Sequence, residues 1–252
     1  MNTTVPQTDY ESFDPAAYLQ EYYLEVGPEN KFLVETAARA YKDFPNDSLD
    51  ILEVGGGPTV YQIISSARAA KTIHFSDYSQ NNLDEVQDWL NGDGFNWEAY
   101  IKVGLKAEGV ASDHDAVMQR KAEMQHKVTK LSRYDIISDT MLATGQDTYD
   151  LVSCVFASDA ITHSVEGWKN VLLNLAKRIK SGGQLVLVGV TGSNAWVMGG
   201  KSFKATNLSE EVIRKTLSEV GFTIELYEST PAEDGQEHGY DGVFYLRARK
   251  QN

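Results

Sequence analysis

Residues 51–62 read ILEVGGGPTVYQ. A buried-type strand runs into three glycines, a proline and a threonine before a tyrosine closes the stretch. A tight turn needs one glycine or two, so three together suit a backbone that another group approaches closely. The strand reads as SLDILEVGG and the segment after the turn, TVYQIISSARAA, as a helix. In doubly wound sheets a ligand lies beyond the carboxyl ends of the strands, over the first such turn, where a helix N-terminus offers free N–H groups. Asp77 closes the next strand, KTIHFSD, 22 residues after Gly55. An acid at that distance suits the hydroxyls of a ribose. A plain tight turn beside a surface acid is the competing reading.

The kind of nucleoside can be narrowed. A dinucleotide fingerprint needs G-x-G-x-x-G; Gly55 and Gly57 fit, but Val60 holds the third place. Pro58 lacks the N–H that a pyrophosphate would seek, and no G-x-x-x-x-G-K-[ST] loop occurs. An acid before the glycines (Glu53), an acid after the second strand and no phosphate grip describe a charged, phosphate-free nucleoside. That is S-adenosylmethionine, with S-adenosylhomocysteine as product.

Outward from this turn, strands alternate with helices. Asp14 and Pro15 open a helix in DPAAYLQEYYLEV, and GPENKFLVETAARAYKDF is a second. QNNLDEVQDWLN follows Asp77 as a helix, and the polar stretch from about 91 to 130 holds another, SDHDAVMQRKAEMQHKVTKL. YDIIS is short and apolar; TYDLVSCVFA and QLVLVGV are strands separated by the helix VEGWKNVLLNLAKRIK. After LSEEVIRKTLSEVG, with Ser209 as cap and Gly221 as stop, FTIELYE and GVFYLRARK read as an antiparallel pair. This order predicts an α/β fold, a doubly wound, mostly parallel, seven-stranded Rossmann-like sheet with an antiparallel last strand. Residues 1–45 form an N-terminal helical cap on a core of residues 46–252, one domain in all.

The 252 residues carry 36 acidic and 23 basic side chains, a net charge of −13. That balance opposes a large nucleic-acid footprint. The single cysteine, Cys154, permits no intrachain disulfide and fits a reducing compartment. No apolar run reaches the roughly 20 residues needed to span a bilayer. The opening MNTTVPQTDYESFDP lacks the features of a secretory signal, so a cytoplasmic monomer is expected.

FDPAAYLQEYY, LEVGGGPTVYQ, SDYSQNNLDEVQDWL with FNW beyond it, and the ending GVFYLRARK together resemble the nicotinamide, phenylethanolamine and thioether/indolethylamine N-methyltransferases, a family of class I S-adenosylmethionine-dependent enzymes. The resemblance spans almost the whole chain and implies these roles. Tyr10, Tyr18 and Tyr23 would close over the cofactor, with Tyr18 also near the substrate. Gly55 and Gly56 would lie along its methionine part beside Tyr61. Asp77 would accept both ribose hydroxyls, with Asn82 on the cofactor's other side. Asp135 and Ile136 would flank the adenine, and Cys154 or Val155 the methionine end. Asp159 would face the amine substrate as the catalytic acid–base group. A carboxylate there can orient an amine, help take its proton or offset a developing cation; without the resemblance, a loop Asp capping the next helix is an equal reading.

The departures concern the substrate side. Amine-methylating relatives keep a second acid where this chain has Gly189, which reads as extra room. Trp196 stands where nicotinamide-type relatives place a tyrosine and can stack on a flat or cationic group. His238, Tyr240 and Asp241 lie near another family acid. His163 is a candidate base or a solvated loop histidine, and His74 reads as a satisfied core residue. His114 and His126 lack metal-ligand spacing, and no metal is expected. The expected function is methyl transfer from S-adenosylmethionine to the nitrogen of a small amine or related metabolite. The alternatives are transfer to sulfur or another nucleophile, and a non-catalytic cofactor-binding protein.

Overall fold

The computed structural model describes residues 14–141, 147–198, 201–232 and 239–251, without the side chains of residues 141, 196–198, 201 and 202. In chain order the strands are β1 (Leu49–Val54), β2 (Ala70–Asp77), β3 (Val128–Asp135), β4 (Thr140–Met141), β5 (Tyr149–Val155), β6 (Ile179–Thr191), β7 (Ala195–Met198), β8 (Lys201–Lys204), β9 (Phe222–Pro231) and β10 (Gly242–Lys250). One sheet has the order β4-β3-β2-β1-β5-β6-β10-β9, and β7 pairs with β8 in a separate hairpin. Strands β3, β2, β1, β5 and β6 run parallel, while β10 is antiparallel to both β6 and β9. The seven-stranded expectation therefore holds, and the two-residue β4 adds an antiparallel edge beside β3.

The helices are α1 (Pro15–Tyr22), α2 (Pro28–Tyr41), α3 (Ser66–Ala69), α4 (Gln80–Asn91), α5 (Glu98–Ala107), α6 (His114–Lys127), α7 (Val165–Lys177) and α8 (Glu210–Glu219). They pack in two layers because successive strand residues face opposite ways. On β1, Ile51 joins a core with Val34 of α2, Val86 of α4, Ile101 of α5 and Met124 of α6. Leu52 and Val54 instead join a second core with Trp168 and Leu172 of α7 and Leu217 of α8. Since β1 lies between β2 and β5, whose following helices α4 and α7 cover opposite faces, the carboxyl ends of β1 and β5 flank a topological switch point. Val54 is paired with Cys154 there. Crevices that bind ligands form at such points.

Helix α1 begins as expected, with Asp14 Oδ1 accepting from Ala17 N at 3.1 Å. Helix α2 is tied to the far edge of the sheet. Arg39 pairs with Glu228 of β9, and Arg247 of β10 donates to the Ala40 carbonyl. Two expected elements change. The helix expected over 112–131 ends at Lys127, and Val128 and Leu131 become part of β3 opposite Ile73 and Phe75. Helical spacing alone cannot see that register, and β-branched residues adapt readily to a pleated surface. β3 then stops at Asp135, and residues 136–138 of YDIIS form a turn. The segment after the glycines is not one helix either; it is a 3₁₀ turn at Tyr61–Ile63 and the single turn of α3.

Candidate active site

The glycine turn is closed from within. Gln62 Nε2 donates to the carbonyls of Gly56 and Thr59, each at 3.0 Å, and Gln62 Oε1 accepts from Thr59 Oγ1 at 3.0 Å. Gly55 and Gly57 have φ of +65° and +63°, which disfavours any side chain. A Cβ on Gly55 would stand 2.5 Å from that of Ala157, and one on Gly56 would enter the ring of Phe75. Packing alone therefore already demands glycine at both positions, whether or not a ligand lies against them. Gly57 is the open one, with nothing within 4 Å of a Cβ position. Its φ of +63°, rather than crowding, is what favours glycine there.

Asp77, at the end of β2, reaches back under this turn. Its Oδ2 accepts from Gly57 N at 2.8 Å, and its Oδ1 from Ser79 N at 2.8 Å and Asn82 Nδ2 at 3.0 Å. Burial raises its pKa, against the downward pull of these donors. The amide of Asn82 is oriented by that bond, and its Oδ1 is buried without a partner. Beneath the turn, Glu53 is 1% exposed. Burial pushes its carboxyl up to about 8, against Ser153 and Gln62, and its Oε1 has no partner.

An aromatic wall stands beside these groups. The Tyr18 and Tyr23 hydroxyls are 3.3 Å apart; Tyr23 packs on Tyr61 with ring centroids 5.3 Å apart and on Trp97 at 5.5 Å. Trp97 meets Tyr100 of α5 edge-on at 5.1 Å. Thus Tyr18, Tyr23 and Tyr61 converge as expected, and the Tyr61 hydroxyl is buried without a partner. Tyr10 lies outside the described residues.

The other face of the crevice follows β5. Cys154 points into the α7–α8 core, and burial pushes its thiol far up; only its backbone borders the site. Val155 points the other way, packing against the cap-side core. Phe156 follows at φ +55°, a left-handed conformation that costs a non-glycine residue energy. That twist leads into the loop carrying Asp159, which is 2% exposed. Its Oδ2 accepts from Val190 N at 3.2 Å, its Oδ1 has no partner, and burial pushes its carboxyl up to about 6. Gly189 is explained by this carboxylate. A Cβ there would lie 2.8 Å from Asp159 Oδ1 and 2.9 Å from Phe244 Cε1. The space expected to enlarge the substrate pocket is occupied by the acid itself.

Several other residues take different places. Asp135 spends its carboxylate on its own turn, accepting from Ile137 N at 2.9 Å and Ser138 Oγ at 2.7 Å. Ile136 is buried in the core shared with Cys154 and Trp168. Asp241 is exposed at the start of β10 and packs over Gly192 at the end of β6. Trp196 lies in β7, its side chain outside the described set, as is His238. Tyr240 donates to Glu29 of α2 at 2.7 Å. His74 is a core residue as expected, with Tyr149 Oη 2.6 Å from Nδ1 and its pKa lowered to about 4 by burial. Among the described residues no His, Cys, Asp and Glu group suited to a metal ion occurs, and no helix is long and apolar enough to cross a membrane. Gln62, Phe75 and Trp97 were not singled out in the sequence as site residues. The Q of TVYQ and the W of FNW stand inside the quoted stretches, but nothing in their spacing shows what they touch.

A sheet of this order, with a glycine turn, a buried acid after β2 and a second acid after β5 around one switch point, defines the Rossmann-like fold of class I methyltransferases. Solved structures share it. A magnesium protoporphyrin IX methyltransferase from Synechocystis PCC 6803 with bound S-adenosylhomocysteine gives a TM-score of 0.61 at 16% identity, covering 99% of this chain and 100% of that one. The N-methyltransferase NodS from Bradyrhizobium japonicum WM9 gives 0.55 at 13% identity, with both chains covered fully. At the sequence level the chain belongs to the NNMT/PNMT/TEMT family, whose model matches residues 2–251. It is 27% identical to the human nicotinamide N-methyltransferase, over 98% of this chain and 96% of that protein. It is 26% identical to the mouse indolethylamine N-methyltransferase, over 96% and 95%. Members of this family are S-adenosylmethionine-dependent N-methyltransferases of small molecules, and the chain is an enzyme of that class.

Proposed function

We propose that the chain methylates the nitrogen of a small amine, with S-adenosylmethionine held between the glycine turn and the tyrosine wall and Asp159 facing the acceptor. The observation that carries this reading is the buried Asp159 carboxylate, fixed through one oxygen and bare at the other, beside the switch point. The residues present fit the cofactor. Asp77, buried at the end of β2, would accept the ribose hydroxyls. The bare Oδ1 of Asn82 offers a second acceptor nearby. Gly57 presents open backbone, while Tyr18, Tyr23 and Tyr61 of the wall, together with Tyr10, would cover the ligand, with Tyr18 also bordering the acceptor. Glu53 Oε1 and the Tyr61 hydroxyl are unpartnered acceptor and donor below it. The Ile136 backbone and Val155 border the remaining sides.

When bound, the cofactor supplies a methyl group on a sulfonium, open to displacement by a nitrogen lone pair. The chain's own contribution is then positional and electrostatic. Residues 1–45 act as a lid that excludes water. Asp159, ionised above about pH 6, orients the amine and offsets the charge that develops on its nitrogen. Trp196 and Asp241, on the hairpin and at the start of β10, border the acceptor. The reading is completed by a monomer in the cytoplasm that needs no metal and binds neither nucleic acid nor membrane; the acidic balance of the chain opposes a nucleic-acid footprint.

Labelled methyl transfer from S-adenosylmethionine to nicotinamide, indolethylamine and phenylethanolamine tests the reading. Transfer to an amine, slowed by Asp159→Asn with cofactor affinity unchanged, is the expected result. Cofactor binding without transfer to any amine would overturn it in favour of a silent binding protein, and transfer to a thiol alone would favour sulfur.

A further inference from the structure

Asp159 sits on the irregular loop between β5 and α7, yet a chain of buried hydroxyls holds that loop. Thr162 Oγ1 lies 2.9 Å from the Ser158 carbonyl and donates to it. The two threonine hydroxyls are 2.8 Å apart, and Thr206 Oγ1 also reaches the Ser164 carbonyl at 3.4 Å. Trp168 Nε1 of α7 donates to Ser158 Oγ at 3.1 Å. Thr206 also donates its backbone N–H to the Asp159 carbonyl at 3.0 Å. Ser158, Thr162, Thr206 and Trp168 are all buried. The residue before Asp159 is thus pinned by two donors and Asp159 itself by a third, while Val190 N holds its carboxylate.

The contact between the two threonine hydroxyls adds little stability by itself, since replacing both partners of a buried bond by apolar groups of the same shape is close to neutral; the Ser158 carbonyl alone loses a donor when Thr162 is replaced. What these residues add is direction: the hydroxyl contact across 44 residues of sequence and the Thr206 N–H bond to the Asp159 carbonyl fix where the loop stands against the segment after β8. We propose that Thr162 and Thr206 are positioning residues that set the Asp159 carboxylate in the site. This rests on the reading of Asp159 as the group that meets the substrate nitrogen. Thr206 also follows β8 by two residues, so the hairpin bearing Trp196 and the loop bearing Asp159 are joined through one clamp.

The test is a carbon-13 NMR titration of aspartate carboxyls in the full chain bound to S-adenosylhomocysteine, with Asp159→Asn assigning the resonance. The Cys154 thiol of β5 acts on Asp159, and His163 lies four residues on in the same loop; Gly189 and Val190 of β6, which meet the carboxylate, and Phe244 of β10 carry no titratable side chain. The double variant Thr162→Val/Thr206→Val keeps the shape of the pair and is expected to fold. Its loop relaxes toward water, so the Asp159 midpoint should fall by at least about half a unit, while Thr206→Ser leaves it in place. Amine methylation, on whichever of the three amines responds, should lose about tenfold in kcat at constant cofactor affinity. An unmoved midpoint in the folded double variant, or an equal shift in Thr206→Ser, would overturn the proposal. Undiminished transfer by Asp159→Asn would instead refute the substrate-facing role of the acid, with the titration still deciding whether the threonines place it.

Discussion

Asp159→Asn separates the cost of keeping a carboxylate in this site from its use. Burial lifts the group from its ordinary 3.8 to about 6. A rise of about two units, at about 1.4 kcal/mol each, is worth about 3 kcal/mol. Because the value in the folded chain is the higher one, the folded state binds this proton more tightly than the unfolded state. The associated stability is complete below pH 3.8, declines as pH rises, and is gone above about pH 6. Asparagine has no such proton. Relative to wild type, the variant should therefore gain stability with rising pH, with about 1.4 kcal/mol of the gain between about pH 5 and pH 7.5. Any fixed penalty of the new amide, such as a buried NH₂ where Oδ1 has no partner, is about 1–3 kcal/mol at either pH and cancels in the comparison. Urea unfolding of both proteins at the two pH values, without cofactor or amine, measures the difference. A gap between the two proteins that does not change with pH would mean the carboxylate is not buried as described, and the account of Gly189 would fall with it.

Three further outcomes follow from the same geometry. Asp77→Ala removes the acceptor under the glycine turn and should weaken S-adenosylhomocysteine by about 10- to 100-fold in calorimetry, the range of a charged hydrogen bond; unchanged affinity would remove Asp77 from the cofactor site. Gly189→Ala drives a methyl group into Asp159 and Phe244, so melting should fall by the equivalent of about 1–3 kcal/mol and turnover should drop; faster turnover would restore the view of that space as empty pocket. Glu53→Gln should already stabilise in thermal melts at pH 7, where the folded carboxyl at about 8 is mostly neutral but the unfolded one, at its ordinary 4.5, is ionised, and should gain about 1.4 kcal/mol more by pH 9; an equal effect at both would mean that Glu53 is ionised in the folded chain at neutral pH.

The local patterns read correctly where the signal is local. Asp14 caps α1 through its own carboxylate, QNNLDEVQDWLN is α4 to the residue, and the late antiparallel pair forms as its alternation and turn suggest. The failures share one cause. VTKL left its helix because β2 offered a neighbouring strand, and TVYQIISSARAA broke because Gln62 folds the turn back on Gly56. Each depends on a partner distant in sequence or on a side chain whose direction no spacing encodes.

By itself the sequence determined the fold and the cofactor class, since the alternation of strands and helices, a glycine-rich turn and an acid after β2 are written in contiguous stretches. Only the tertiary structure decided what the absent side chains are for. Gly56 is small because Phe75 fills the place above it and Gly189 because Asp159 does, while Gly57, of the three in the turn, stands open. A missing side chain leaves the same mark in a sequence whether a ligand, a ring or a carboxylate takes its volume, and close packing of distant residues settles which.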